Sequence, residues 1–284
     1  MKRRTDKGAL RAPFFKFMGL LLLLFALTGC TKDAAPETGS QNEEKEVPVI
    51  TITEQDEPEQ GLVKEAKTDR EAEGVLQNDE ADPKTAFYST EITDEIFARM
   101  EGKSFKEDCQ TPREDLRYLH VLHKTIDGDT LEGELVVNVH IAEDVLEIFR
   151  ELYEADYPIE RIRLVDEYGA DDDLSMSDNN TSCFNYRLVA HTNRVSKHGR
   201  GLAIDLNPRY NPYVVTVDGE LEITPENGKE FADRSGDFPY KIDENDLAYR
   251  LFTEHGFAWG GAWKNEKDYQ HFEIPSATIK EWYP

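Results

Sequence analysis

The chain has 284 residues, with 58 acidic against 33 basic side chains and a formal net charge of −25. That much negative charge repels a phosphate backbone and excludes nucleic acid as a partner. The length leaves room for one domain of good size or two small ones.

Lys2, Arg3, Arg4, Lys7, Arg11 and Lys16 precede an apolar run from Phe17 to Leu27, which leads into Thr28-Gly29-Cys30. A basic start, a short apolar stretch and a small-residue cleavage site describe a secretory signal over residues 1–29. The run is too short for a comfortable membrane span. Leu27-Thr28-Gly29-Cys30 resembles a bacterial lipobox, which implies cleavage before Cys30 and a diacylglyceryl group on its sulfur. An ordinary signal with a chance cysteine is the plainer alternative. The expectation is an extracytoplasmic protein, lipid-anchored to the bacterial cell membrane.

From Thr31 to Thr85 there are sixteen acidic against six basic residues, few aromatics and no lasting hydrophobic period. Such a composition buries too little surface to offset the entropy of ordering. Residues 30–90 therefore read as a disordered acidic tether, with an r.m.s. reach of about 40 Å. Residues 91–284 form the expected domain. Beyond Cys30 only Cys109 and Cys183 remain, and in an oxidising exterior they are either a disulfide or two buried thiols.

In chain order, Ile92–Met100 reads as a short helix with Thr93 as its cap and Gly102 as its end. Asp115–His123 alternates weakly as a strand, and Asp127-Gly128-Asp129 is a turn. Gly133–His140 places Leu135, Val137 and Val139 on one face of a half-buried strand. Ala142–Ala155 carries Val145, Leu146, Phe149, Leu152 and Tyr153 in one helical stripe, closed by Pro158. A short strand, Ile162–Val165, precedes a long polar loop from Tyr168 to Ser182, of a length more often functional than idle. Tyr213–Val217 is a strand and Asp218-Gly219 a hairpin turn. Residues 224–242 look irregular. Asp243 is placed to cap a helix running to His255, with Gly256 as terminator. Without a regular βαβ alternation, the fold class is α+β: a small, mostly antiparallel sheet flanked by helices.

His198 and Asp205 stand seven residues apart, with Gly199 and Gly201 between them. A loop at His198 followed by a strand Leu202–Leu206 suits them better than a helix does. An aspartate in an apolar strand is costly unless something pairs with it, and a cation does so. Far downstream, Asp268 precedes His271 by three residues. Two imidazoles and one carboxylate make a three-ligand zinc site, with a second carboxylate left as general base. In an ideal strand Asp268 and His271 face apart, so the arrangement requires a bend at Tyr269 or Gln270. The rival reading is solvated or core histidines. His120 and His123, in H-x-x-H order on a strand, face apart and are structural. His255 suits a helix end, and His191 is near enough in sequence to support a ligand.

Ser196-x-His198-x-x-Gly201-x-Ala203-x-Asp205, with Trp259-Gly260-Gly261-x-Trp263 and Asp268-x-x-His271-Phe272, resembles the M15-type zinc D-alanyl-D-alanine carboxypeptidases and L-alanyl-D-glutamate peptidases, akin to VanX-like dipeptidases. The resemblance runs from about Leu116 to Glu273 and takes in Gly133–Asn138, Tyr157-Pro158-Ile159 and Phe184-Asn185-Tyr186-Arg187. It implies a Hedgehog/DD-peptidase-like fold, peptidoglycan stem peptides as substrate, and Zn2+ on His198, Asp205 and His271. It implies Asp268 as the base, where some relatives have glutamate, Arg187 at the scissile carbonyl, and Ser196 binding substrate. Each role has a plainer rival: a surface charge partner for Arg187, a turn cap for Ser196, and packing rather than cleft lining for Trp259, Trp263 and Tyr269. Two functions follow: a zinc peptidase of carboxypeptidase or endopeptidase type, or a non-catalytic wall-binding lipoprotein that keeps the fold.

Overall fold

The computed structural model describes residues 83–189 and 192–283. The signal segment, Cys30, nearly all of the tether and His191 lie outside the described residues. The folded part takes in a one-turn helix, α1 (Pro83–Ala86), and strand β1 (Tyr88–Glu91), ahead of the boundary expected at residue 91. Ala86 and Phe87 are buried in the main core. The fold is mixed α+β, with small antiparallel sheets and helices.

The first sheet is β1 with β2 (Leu116–Lys124) and β3 (Thr130–Asn138), all antiparallel. Between β1 and β2 lies α2 (Asp94–Met100), whose Thr93 side chain accepts from Ile96 N–H. The cap is where the sequence places it. Strand β3 ends at Asn138, because the Asn138 side chain accepts from His140 N–H and turns Val139–Ile141 into a 3-10 helix. The strand is also buried on both faces rather than one. Leu135 and Val137 enter the main core, while Val136 joins a second apolar cluster with Leu116, Phe184 and Tyr186. Helix α3 (Ala142–Glu154) buries Val145, Leu146, Phe149 and Leu152 as its stripe requires.

The expected strand Ile162–Val165 is only Arg161–Ile162 (β4), since Val165–Tyr168 winds into a 3-10 turn. The expected loop 168–182 is largely structured. Asp171 caps a short helix, α4 (Asp172–Ser177), and Asn180–Thr181 (β5) pairs parallel with β4. Such pairing depends on a partner remote in sequence, which local polarity does not reveal. Cys109 and Cys183 are free thiols. They belong to different clusters, Cys183 to the main core and Cys109 to the edge of the second, and the Cys109 thiol donates to Thr111 O at 3.5 Å.

Two further sheets carry the C-terminal half. One is β6 (Ala203–Asp205) with β11 (His271–Glu273) and β9 (Ala258–Trp259). The other is β7 (Tyr213–Val217) and β8 (Glu220–Thr224), joined at Asp218-Gly219, with β10 (Glu266–Asp268) along the opposite edge of β7. Helix α5 is Leu247–Glu254, three residues shorter at its start than the sequence implies. Asp246, not Asp243, accepts from the first turn, at Ala248 N–H. Gly256 follows with φ +84°. Phe252 of α5 stacks on Phe272 at 4.3 Å, which seats the β6–β11–β9 sheet on the core. Helix α6 (Ser276–Trp282) closes the chain.

Candidate metal centre

In the β6–β11 pair His271 lies directly opposite Asp205, and Phe272 opposite Ile204. Directly opposed residues share a face. Ile204 and Phe272 therefore enter the core while Asp205 and His271 project together on the other side. His198 reaches the same point from a 3-10 turn, His198–Arg200, that precedes β6. That turn docks on the end of β3, where Asn138 N–H donates to Gly201 O at 2.8 Å. Gly201 has φ +66°, and a Cβ there would sit 2.8 Å from Asn138 N, so only glycine allows the approach.

His198 Nε2 is 3.2 Å from His271 Nδ1 and 3.3 Å from Asp205 Oδ2, and His271 Nδ1 is 2.9 Å from Asp205 Oδ1. Zinc–ligand distances of about 2.0–2.1 Å give a tetrahedron with edges of about 3.3 Å. The observed separations fit that donor set. The outward ring nitrogens are also engaged. His198 Nδ1 is 2.8 Å from Cys183 O, which accepts only, so the proton sits on Nδ1 and Nε2 keeps its lone pair. His271 Nε2 is 3.2 Å from Glu273 Oε2. These three residues form a candidate metal site.

Charge is concentrated here. Burial opposes ionisation of Asp205, but the His198 and His271 rings overcome it and hold the carboxyl far below its usual range. Burial also opposes a charged His271, yet hydrogen bonds to Asp205 and Glu273 push it up to about 10. The pocket thus stabilises positive charge at the point where the ligands meet.

Asp268 ends β10, and the chain leaves that sheet and enters the other within Tyr269-Gln270. This is the expected bend. Trp259 Nε1–H donates to Tyr269 O at 2.9 Å, and the Arg234 guanidinium lies 4.4 Å over the Tyr269 ring. These two aromatics hold the turn, whereas the Trp263 ring lies against His271 at 5.4 Å. Asp268 Oδ1 is buried with no hydrogen-bond partner. Burial raises its carboxyl to about 7; the charges of His271 and Arg187 resist this, and those of Asp205 and Glu266 assist it.

Arg187 is near enough for its charge to act on Asp268, and its Nε contacts Asp172 Oδ2 at 2.5 Å. Asp172 Oδ1 in turn accepts from Asn185 Nδ2 at 2.7 Å. Ser196 Oγ accepts from Gly199 N–H at 2.9 Å and caps the His198 turn. His123 is buried with Nδ1 on Ile159 O, and His255 pairs with Asp144 at the end of α5. Both are structural, as the sequence suggests. Glu273 has no role in the sequence reading above, although its position two residues after His271 on a strand places both on one face.

Residues 190–274 match the family model described as D-alanyl-D-alanine carboxypeptidase. The matched span holds Ser196, all three candidate ligands and Asp268, and it begins after Arg187. No curated protein and no solved structure matches the chain.

Proposed function

With a D-alanyl-D-alanine carboxypeptidase family domain at residues 190–274 as the premise, we propose that this chain is a zinc metallopeptidase that cuts peptide bonds in peptidoglycan stem peptides, as a D-alanyl-D-alanine carboxypeptidase. His198 Nε2, Asp205 and His271 Nδ1 hold the zinc. A zinc ion in that position polarises a carbonyl and acidifies water. Asp268 takes the proton of the attacking water and returns it to the leaving amine. Burial, which favours the protonated form of this carboxyl, suits it to take up a proton and pass it on. Arg187, steered by Asp172, meets the negative charge that develops on the carbonyl oxygen. Ser196 gives its lone pair to Gly199 and keeps its own proton for a substrate acceptor.

The observation that carries this reading is Asp268 Oδ1, buried and unpartnered beside three converging ligands. A pure wall binder has no use for such a group. In the same reading Cys30 bears the lipid, and the acidic tether gives an extracytoplasmic enzyme reach into the wall. The test is mass spectrometry of defined stem peptides incubated with the protein, with and without chelator. Loss of one C-terminal alanine, abolished by chelator and by Asp268→Ala without loss of zinc, is the expected result. Cleavage between L-alanine and D-glutamate would reassign the bond to the endopeptidase type. Intact peptides retained on a zinc-loaded protein would make it a binder.

A further inference from the structure

We infer that Glu273 and Lys197 form a positioning pair that fixes which nitrogen of His271 is offered to the metal, and so sets metal affinity. The inference rests on the zinc reading above. Glu273 Oε2 lies 3.2 Å from His271 Nε2, and Glu273 Oε1 lies 2.7 Å from Lys197 Nζ. One carboxylate therefore spans a ring nitrogen and an ammonium.

The need for it follows from the His271 ring. A neutral imidazole has one N–H, and here carboxylates face both nitrogens: Asp205 at Nδ1 and Glu273 at Nε2. A ligand nitrogen must keep its lone pair. The proton therefore has to reside on Nε2, and Glu273 is the acceptor that keeps it there. Lys197 balances the added negative charge. It also immediately precedes His198, so the pair links the two histidine-bearing segments on the side away from the metal.

The sheet makes room for this. Glu273 sits opposite Ala203 on one neighbouring strand and Ala258 on the other. Two alanines leave lateral space for the carboxylate, and both partners are largely enclosed, at 20 % and 18 % side-chain exposure.

The test is zinc affinity, by competition with a chromophoric chelator, together with the His271 tautomer from long-range 1H–15N correlation in the zinc-loaded protein. Glu273→Ala is expected to weaken zinc binding about 10–100-fold and to blur the Nε2–H tautomer. Glu273→Gln, which still offers an oxygen to Nε2–H, should recover most of that loss. Lys197→Met should lie between wild type and Glu273→Ala. If Glu273→Ala binds zinc like wild type while His271→Ala does not, the positioning role is overturned and the metal centre stands. If wild type itself holds no zinc, both fall. Equal losses in Glu273→Gln and Glu273→Ala, with the tautomer unchanged, would reduce Glu273 to a packing role and also overturn the inference.

Discussion

Gly260 begins the 3-10 turn Gly260–Ala262 and presses on the strand that carries the proposed base. A Cβ at this position would sit 2.6 Å from Asp268 O, 2.8 Å from Asp268 Cβ and 3.2 Å from His271 Cβ. Ordinary contact begins near 3.4 Å, so Gly260→Ala must displace the Asp268 backbone by about 0.8 Å. Backbone in a paired strand cannot swing aside as a long side chain can. Overpacking of this kind costs about 1–3 kcal/mol of stability. A shift near 1 Å in a positioned reacting group costs about 10²-fold in rate. The expected outcome for Gly260→Ala is therefore a kcat about 10²-fold lower on a D-alanyl-D-alanine stem peptide, with a smaller change in KM. Zinc should bind more weakly, because His271 is pressed as well. Gly236→Ala, where a Cβ meets nothing within 4 Å, is the control and should match wild type. The reasoning is refuted if Gly260→Ala keeps wild-type kcat and zinc affinity.

Burial lowers His123 from 6.5 to about 4. As pH falls the unfolded chain takes up that proton first, so the stability His123 contributes is complete above about pH 6.5 and is lost towards pH 4. At about 1.4 kcal/mol per pKa unit the loss is about 3 kcal/mol over that window. Urea unfolding of wild type and His123→Gln at pH 7 and pH 4.5 should show the gap between them narrowing, and a constant gap would contradict it. Asp172→Ala frees Arg187 from its anchor and should lower kcat about 10-fold with zinc content unchanged. Arg187→Ala removes the charge itself and should cost about 10²-fold. The double variant should be no worse than Arg187→Ala alone, which a double-mutant cycle in kcat/KM measures. Saturating zinc at about 1,000 times its Kd should stabilise the wild type by about 4 kcal/mol, read as a rise in melting temperature that His198→Ala lacks.

Local signals were legible where one short stretch decides the outcome. Thr93 as a cap, the Asp127-Gly128 and Asp218-Gly219 turns and the stripe of α3 are of that kind. The loop at His198 followed by a strand follows from Gly199, Gly201 and Pro208, which disfavour a helix, and the bend between Asp268 and His271 follows from demanding that base and ligand meet. What escaped depends on partners distant along the chain. Val136 is buried because a second cluster covers the far face of β3. Asn180-Thr181 is a strand only because Arg161-Ile162 lies beside it. The helix cap is Asp246 rather than the expected Asp243, and its carboxylate also accepts from the Tyr157 hydroxyl at 3.0 Å, a partner remote in sequence. Glu273 could have been found by asking which carboxylate shares a strand face with His271. The role of Asp172 could not, because nothing in the polar stretch 168–182 marks one acid from its neighbours.

X-ray absorption at the zinc edge of the metal-loaded protein tests the centre most directly. The expected spectrum has a nitrogen and oxygen shell at about 2.0–2.1 Å with outer scattering from two imidazoles, falling to one imidazole in His198→Ala or His271→Ala at whatever occupancy remains. A sulfur shell at about 2.3 Å, or a wild-type spectrum without imidazole scattering, would contradict it.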